Sequence, residues 1–168
     1  MNTLERIQAA SPEAVRRPVP TRDGIVALEV ERAGYHELMR VLRDVCGFES
    51  NTFVTAIDHF PREPRYEFCV QLASLRHEDR VRIHVRLSDT DPRIATITDL
   101  WPGAVFSERE CWDMFGIRFE GHEGLKRLLM PDEYEYFPLR KDFPHQGIEP
   151  DRLYRAWERE RGRPTARS

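Results

Sequence analysis

Acidic side chains and a histidine lie close together between residues 108 and 122, where they could carry out chemistry. Glu110 and Asp113 are three residues apart, so a helix would bring both carboxylates towards one cation, and His122 could add a nitrogen ligand or transfer a proton. Such a set could serve a small metal-dependent hydrolase. However, the chain has no second histidine at H-E-x-x-H spacing and no nucleophile elbow. We keep the hydrolase as an alternative and expect no catalytic or metal-binding residue.

Glu108 is notable because it falls among apolar residues. If residues 103–115 form a helix, successive side chains turn by about 100°, and Glu108 shares one sector with the core-facing residues. Those residues are Ala104, Val105, Cys111, Trp112 and Phe115. A buried carboxylate is costly unless it is paired. Glu108 could accept backbone hydrogen bonds from the C-terminal region or from a partner, or it could simply favour the dipole near the helix start. Arg109 lies at the edge of this sector, one turn before Asp113.

The residues before this stretch show the apolar periodicities of a compact domain. Helices are predicted at residues 3–9 and 35–45, the second with Tyr35, Leu38, Met39, Leu42 and Val45 on its buried side. The predicted strands are residues 15–20, which form an edge, and residues 25–30, 52–60, 65–75 and 81–87. An Asp-Gly turn at residues 21–24 joins the first two strands.

The last predicted strand shows how the sheet should be covered. Apolar residues at 81, 83, 85 and 87 alternate with Arg82, His84 and Arg86, so one face should be buried and the other solvated. We therefore predict an α+β fold, with a mixed or antiparallel sheet of about 4–5 strands covered by helices. This core domain should span residues 1–120, with Pro102 opening the helix and Gly116 ending it.

The character of the chain changes after Gly121. Residues 121–160, which we call the arm, contain scattered prolines and aromatics without helical or strand periodicity. Such a segment cannot build its own core, yet its aromatics make full disorder unexpected. We predict an extended arm laid against a partner, with a short helix at residues 151–160 and a disordered tail at residues 161–168.

Composition excludes several classes of protein. A net charge of −3 gives no basic footprint for nucleic acid, and no apolar run could span a bilayer. Three separated cysteines without a C-x-x-C pair make a zinc or iron–sulfur site unexpected. The first ten residues lack the apolar core of a signal peptide, so we expect a cytoplasmic protein that meets a membrane only through partners.

The run Glu-Arg-Glu-Cys-Trp-Asp-Met-Phe-Gly-Ile at residues 108–117, continuing to His122, Lys126, Leu128 and Leu129, resembles a known signature. It is similar to that of the C (30 kDa) subunit of proton-pumping NADH:quinone oxidoreductase, respiratory complex I. Residues 55–61, 72–76, 98–104, 129–132 and 138–144 also match, so the resemblance covers roughly residues 3–147. Cys111 and Trp112 depart from it, since the family commonly has a smaller residue and a tyrosine there.

The resemblance implies a structural and assembly role in the peripheral arm of the complex, on the cytoplasmic side of the cell inner membrane. The C-terminal arm of this chain would wrap the D (quinone-site) subunit, and the chain would not be an obligate homo-oligomer. FMN, iron–sulfur clusters, NADH and quinone would be bound by other subunits, and this chain would bind no cofactor. The same scaffold occurs in related membrane-bound hydrogenases and in ferredoxin- or F420H2-using complexes, which remain an alternative. The residues implied in partner binding are Glu108, Arg109, Glu110, Asp113, Phe115, Gly116, His122, Lys126, Leu128, Pro131, Pro138, Arg140, Lys141, Asp142 and Phe143.

Overall fold

The computed structural model describes residues 2–12, 17–19, 21–145 and 147. Its helices are α1 (Thr3–Ala10), α2 (Tyr35–Asp44) and α3 (Ala104–Phe115), and a 3-10 turn at Arg32–Gly34 precedes α2. Its strands are β1 (Arg17–Val19), β2 (Val26–Glu29), β3 (Ser50–Asp58), β4 (Tyr66–Ser74), β5 (Asp79–Leu87), β6 (Arg93–Ala95) and β7 (Arg118–Glu120). The predicted helix at residues 151–160 and the predicted tail at 161–168 lie outside the described residues.

Five strands form one mixed sheet in the order β1-β2-β5-β4-β3. Three of its pairs are antiparallel, whereas β2 and β5 run parallel with Val26 beside Val81. The predicted α+β class and mixed sheet are confirmed. The predicted Asp-Gly connection also joins an antiparallel pair, β1 and β2, with Gly24 at a φ of +74° that favours glycine.

The inner face of the sheet packs against the helices. The alternating apolar residues of β5 are buried, as the pattern predicts, and so are Tyr35, Leu38, Met39 and Leu42 of α2. The assignment of Val45 to this buried face is wrong. Helix α2 ends at Asp44, so Val45 lies beyond the last turn and is 68% exposed.

The outer face of the sheet is less open than the alternation suggests. His84 was predicted to be solvated, but it is buried because its Nδ1 lies 2.7 Å from Glu67 Oε1 on the neighbouring strand. Arg86 reaches the same carboxylate at 2.7 Å and covers it further. Charged side chains therefore cover one another on this face of the sheet.

A second, two-stranded parallel sheet pairs β6 with β7 and was not predicted. Each strand has three residues, too few to show an alternating pattern. Their central residues Ile94 and Phe119 are buried with Ile97 and Ile117 in the same core as α2. The β6–β7 sheet and the residues beside it therefore belong to the same core as the five-stranded sheet. Among the described residues no helix has the length and apolar character to cross a membrane.

Candidate functional site

Helix α3 carries two fully buried carboxylates, those of Glu108 and Asp113. The two residues are five positions apart, so at about 100° per residue they face different neighbours. The helix ends where predicted, with Gly116 in the left-handed region at a φ of +80°. What each carboxylate binds determines which part of the chain α3 holds.

Glu108 is bound within its own domain. Its Oε2 accepts a hydrogen bond from Thr96 Oγ1 at 2.5 Å, and its Oε1 accepts one from the Ile97 N–H at 2.8 Å. Burial raises the pKa of Glu108 to about 7, and these two hydrogen bonds offset only part of that effect. Neither predicted alternative holds: the donors follow β6 rather than coming from the arm, and no acidic residue lies in the first turn of α3.

Asp113 receives the backbone of the arm. Its Oδ2 accepts hydrogen bonds from three successive N–H groups, at 3.1 Å from Leu128, 2.7 Å from Leu129 and 3.0 Å from Met130. Its Oδ1 lies 2.8 Å from Arg127 Nη1. Burial alone would raise the pKa of Asp113, but the backbone donors and the guanidinium together hold it below its ordinary value.

Arg127 is a binding residue that sequence reasoning missed. Besides its ion pair, it donates to the backbone oxygens of Asp113 and Tyr134. Its guanidinium carbon lies 5.1 Å from the ring centre of Trp112 and 5.0 Å from that of Phe137. Trp112, the departure noted above, thus has a partner in the arm. The available signal was an arginine within a stretch rich in leucine and aromatic residues.

A second contact joins the arm to the end of α3. Arg140 Nε donates to the Phe115 carbonyl at 2.7 Å, and the Leu139 N–H donates to the Met114 carbonyl at 3.1 Å. These donors satisfy carbonyls that the helix end leaves free. A Cβ on Gly116 would lie 2.5 Å from Arg140 Nη2 and 2.8 Å from Phe137 Cε2, so only glycine fits beneath the arm.

A third contact joins the arm to the β3–β4 hairpin. Asp58 Oδ2 lies 2.8 Å from Arg65 Nη2 and accepts the Lys141 N–H at 2.8 Å, while Asp142 Oδ1 lies 2.7 Å from Arg65 Nη2. Burial opposes ionisation of Asp58, but Arg65 and the backbone N–H groups of Lys141 and Phe60 lower its pKa to about 2. Sequence reasoning gave neither Asp58 nor Arg65 a role. The alternation of β3, which turns Asp58 inwards, was the available signal.

The remaining predicted residues divide between arm contacts and open surface. Arg109 is not paired with Glu108; it donates to the backbone oxygens of Lys126 at 3.1 Å and Arg127 at 2.6 Å. Phe143 is half-buried, and its N–H donates to the Arg140 carbonyl. Pro131 and Pro138 are also half-buried. Glu110 and Lys126 are exposed.

The geometry does not support the hydrolase set. Glu110 is exposed, whereas Asp113 is buried and its oxygens are occupied by the arm. His122 Nε2 lies 3.3 Å from the Val105 carbonyl. Within the described ranges no three histidine, cysteine, aspartate or glutamate side chains are grouped so as to hold a metal ion. The site is therefore built to hold a segment of polypeptide.

Comparison with known proteins identifies the family. The sequence model described as respiratory-chain NADH dehydrogenase, 30 Kd subunit, matches residues 28–149, which include α3 and all three arm contacts. The chain belongs to this family. It is thus part of an oxidoreductase complex, respiratory complex I, and the resemblance to its 30 kDa subunit is confirmed.

Three relatives show how the match is distributed. The C subunit of the NADH-quinone oxidoreductase of Roseiflexus sp. is 38% identical over 84% of this chain and 82% of the relative. The C subunit numbered 2 of Rhizobium meliloti is 42% identical over 74% of this chain and 69% of the relative. A protein of Sulfurihydrogenibium sp., named for both the C and D subunits of the enzyme, is 41% identical over 77% of this chain but 23% of its own length.

Two solved structures share the fold of this chain. A trypsin-resistant fragment of Nqo5 aligns with a TM-score of 0.66 at 30% identity, over 73% of this chain and 98% of the fragment. A chain of an archaeal membrane-bound sulfane sulfur reductase aligns with a TM-score of 0.73 over 98% of this chain and 92% of that chain. At 22% identity, the second match shows the fold alone.

Proposed function

We propose that this chain is a non-catalytic structural part of the NADH:quinone oxidoreductase that braces the quinone-site subunit through its arm, on the cytoplasmic side of the inner membrane. One observation carries the proposal: the inward groups of residues 127–142 are bound to the domain, while apolar side chains of the same segment point outwards. Leu129 is 60% exposed and Leu139 is 53% exposed. An extended segment fixed on one side with apolar groups on the other is suited to protein contact.

The choice of partner rests on the family. The Sulfurihydrogenibium relative is named for the C and D subunits together, and fusion of two polypeptides is favourable where they work side by side. We therefore take the quinone-site subunit, D, as the protein that covers the outward side of the arm, with other subunits of the peripheral arm nearby. The electron carriers FMN, iron–sulfur clusters and quinone would be held by other subunits. The related hydrogenase and ferredoxin- or F420H2-using complexes remain an alternative that neighbouring genes would decide.

The test changes the outward side of the arm only. In the full chain, expressed with the rest of the complex, Leu129→Glu with Leu139→Glu should lower recovery of the quinone-site subunit by about tenfold or more. The reason is that two apolar side chains that the partner would cover become charged. The matched control is Val45→Glu with Leu75→Glu, which changes two exposed apolar residues elsewhere on the domain. Recovery is measured by affinity purification and quantitative mass spectrometry.

Two further measurements make the result decisive. The melting temperature of the purified double variant should match that of the wild type, which separates lost binding from lost folding. NADH:quinone activity of the recovered complex should fall in proportion to the amount of quinone-site subunit, since this chain supplies no reacting group. Normal recovery of that partner by the arm variant would refute the proposal.

A further inference from the structure

The two edges of the five-stranded sheet are protected very differently. β1, at one edge, has three residues and contains Pro18, which cannot donate a ladder hydrogen bond. β3, at the other edge, has nine residues and contains no proline, lysine or arginine. Short strands, proline and lysine are the usual means of keeping an edge from pairing with another chain. β3 has none of these three, although a register shift interrupts it between Asn51 and Phe53 and α3 packs against it.

The free edge of β3 opens onto a groove. Along an antiparallel strand every second residue turns its N–H and C=O away from its partner, so β3 presents unused backbone groups on the side away from β4. Within the described residues no strand pairs with that side. A groove of about 650 Å³ lies there, lined by residues 51–55, by Gly103, Phe106, Ser107 and Glu110 of α3, and by Leu128.

The walls of the groove indicate what it would bind. Phe106 is 63% exposed, which is unusual for a phenylalanine and offers an apolar surface beside the strand edge. Glu110 lies one turn along α3 from Phe106, and no lysine or arginine of the described residues forms an ion pair with it. None of the residues that line the groove is basic. The groove therefore combines a strand edge, an aromatic surface and one uncompensated negative charge.

We propose that the β3 edge accepts an extended segment of another subunit of the complex, which adds to the sheet as a sixth strand. Its backbone would pair with residues 52–57, an apolar side chain would cover Phe106, and a lysine or arginine would meet Glu110. A second copy of this chain is a poorer occupant. Pairing two β3 edges would bring together two copies of a groove that has an acidic group and no basic one.

This inference does not rest on the binding of the arm to the quinone-site subunit, although Leu128 of the arm also lines the groove. Phe106 and Glu110 belong to α3, whereas Leu129 and Leu139 belong to the outward side of the arm. Either surface could be occupied without the other. The experiments can therefore fail separately.

Photo-crosslinking in the purified complex tests the occupant. With p-benzoylphenylalanine in place of Phe106, irradiation should link this position to one short segment of another subunit that contains a lysine or arginine, as identified by mass spectrometry. The same probe in place of Val45, which is also exposed, controls for random collision. Links to a second copy, to residues 148–168 of the same chain or to no protein would overturn the proposal.

Hydrogen exchange in the same complex tests the strand pairing. The amides of residues 52–57 that point away from β4 should exchange on the order of tenfold faster in a Glu110→Lys complex than in the wild type, because the added strand is repelled. Exchange at β5, in the middle of the sheet, should not change. Equal exchange at β3 in the two complexes would also overturn the proposal. An intact Phe106 crosslink in the Leu129→Glu, Leu139→Glu variant would show that the groove and the arm act separately.

Discussion

Glu108 and Asp113 are two carboxylates on the same helix, and both lack solvent exposure. Their pKa values nevertheless shift in opposite directions. Glu108 has two donors and no cation, and its pKa rises to about 7. Asp113 has three backbone donors and the Arg127 guanidinium, and its pKa is lowered. The supply of donors, rather than burial, decides which carboxylate stays charged.

The two carboxylates also connect α3 to different parts of the chain. Glu108 joins α3 to the loop after β6, so both sides belong to the domain. Asp113 joins α3 to the beginning of the arm, so its charge holds a segment that has no helix or strand of its own between residues 121 and 145. An extended segment lacks partners for its backbone groups, and a charged acceptor can supply several at once.

The largest expected effect comes from removing the Asp113 carboxylate, which binds the arm. Asp113→Ala removes the anionic partner of Arg127 and the acceptor of three backbone N–H groups, so the free energy of unfolding should fall by about 3–5 kcal/mol. Urea denaturation measures that loss. Limited trypsin digestion should also cut faster after Lys126 and Arg127, because the segment that Asp113 held is released.

The conservative variant Asp113→Asn sharpens this prediction. It keeps the volume and one acceptor oxygen but loses the ion pair, so its stability should lie between those of the wild type and Asp113→Ala. If Asp113→Ala were as stable and as resistant to trypsin as the wild type, Asp113 would not be the residue that fixes the arm to α3.

The next effect is a pH dependence with opposite sign at the two carboxylates. Glu108 ionises at its ordinary value of 4.5 in the unfolded chain and near 7 in the folded one, so its contribution is most favourable below pH 4.5 and is lost as pH rises to about 7. The loss corresponds to about 3 kcal/mol. For Asp113 the folded pKa is lowered, so its contribution is present above pH 3.8 and is lost as pH falls through the folded pKa.

Glu108→Gln isolates the first of these effects. Glutamine can still accept the Ile97 N–H but cannot ionise, so the difference in unfolding free energy between variant and wild type should grow in favour of the variant as pH rises from 4.5 to about 7. Urea denaturation at several pH values measures the difference. A difference that does not change with pH would mean that Glu108 keeps its ordinary pKa in the fold.

The smallest effect compares two glycines. Gly116→Ala and Gly124→Ala place a Cβ on backbone at nearly the same φ, +80° and +81°, so both should lose about 1 kcal/mol to backbone strain. Only at Gly116 would the new Cβ meet the arm, and we expect about 1–2 kcal/mol more there. Thermal denaturation of both variants measures the difference, and equal losses would show that the arm does not press on Gly116.

The sequence predicted those features that repeat along the chain. The period of α2 and the alternation of β5 place their buried residues correctly, and Gly116 ends α3 as expected. β6 and β7 were missed because three residues cannot show a period. Val45 was misplaced because periodicity does not reveal that a helix has already ended.

The site was predicted in part. Asp113 and Arg140 were named from the family signature, but the bonds they make depend on the return of the arm to α3, which no local pattern encodes. The same holds for Arg127, Asp58 and Arg65, whose partners lie far away in sequence. Glu108 was correctly singled out as a buried charge needing donors, whereas the source of those donors required the path of the loop after β6.

The order of strands in the sheet has a consequence for how the chain assembles. β2 lies between β1 and β5, and its parallel pairing joins Val26 to Val81. An isolated two-stranded hairpin is only marginally stable in water, so we expect β1 and β2 to become fixed only once β5 has emerged during synthesis. The centre of the sheet would then form after the β3–β4–β5 meander.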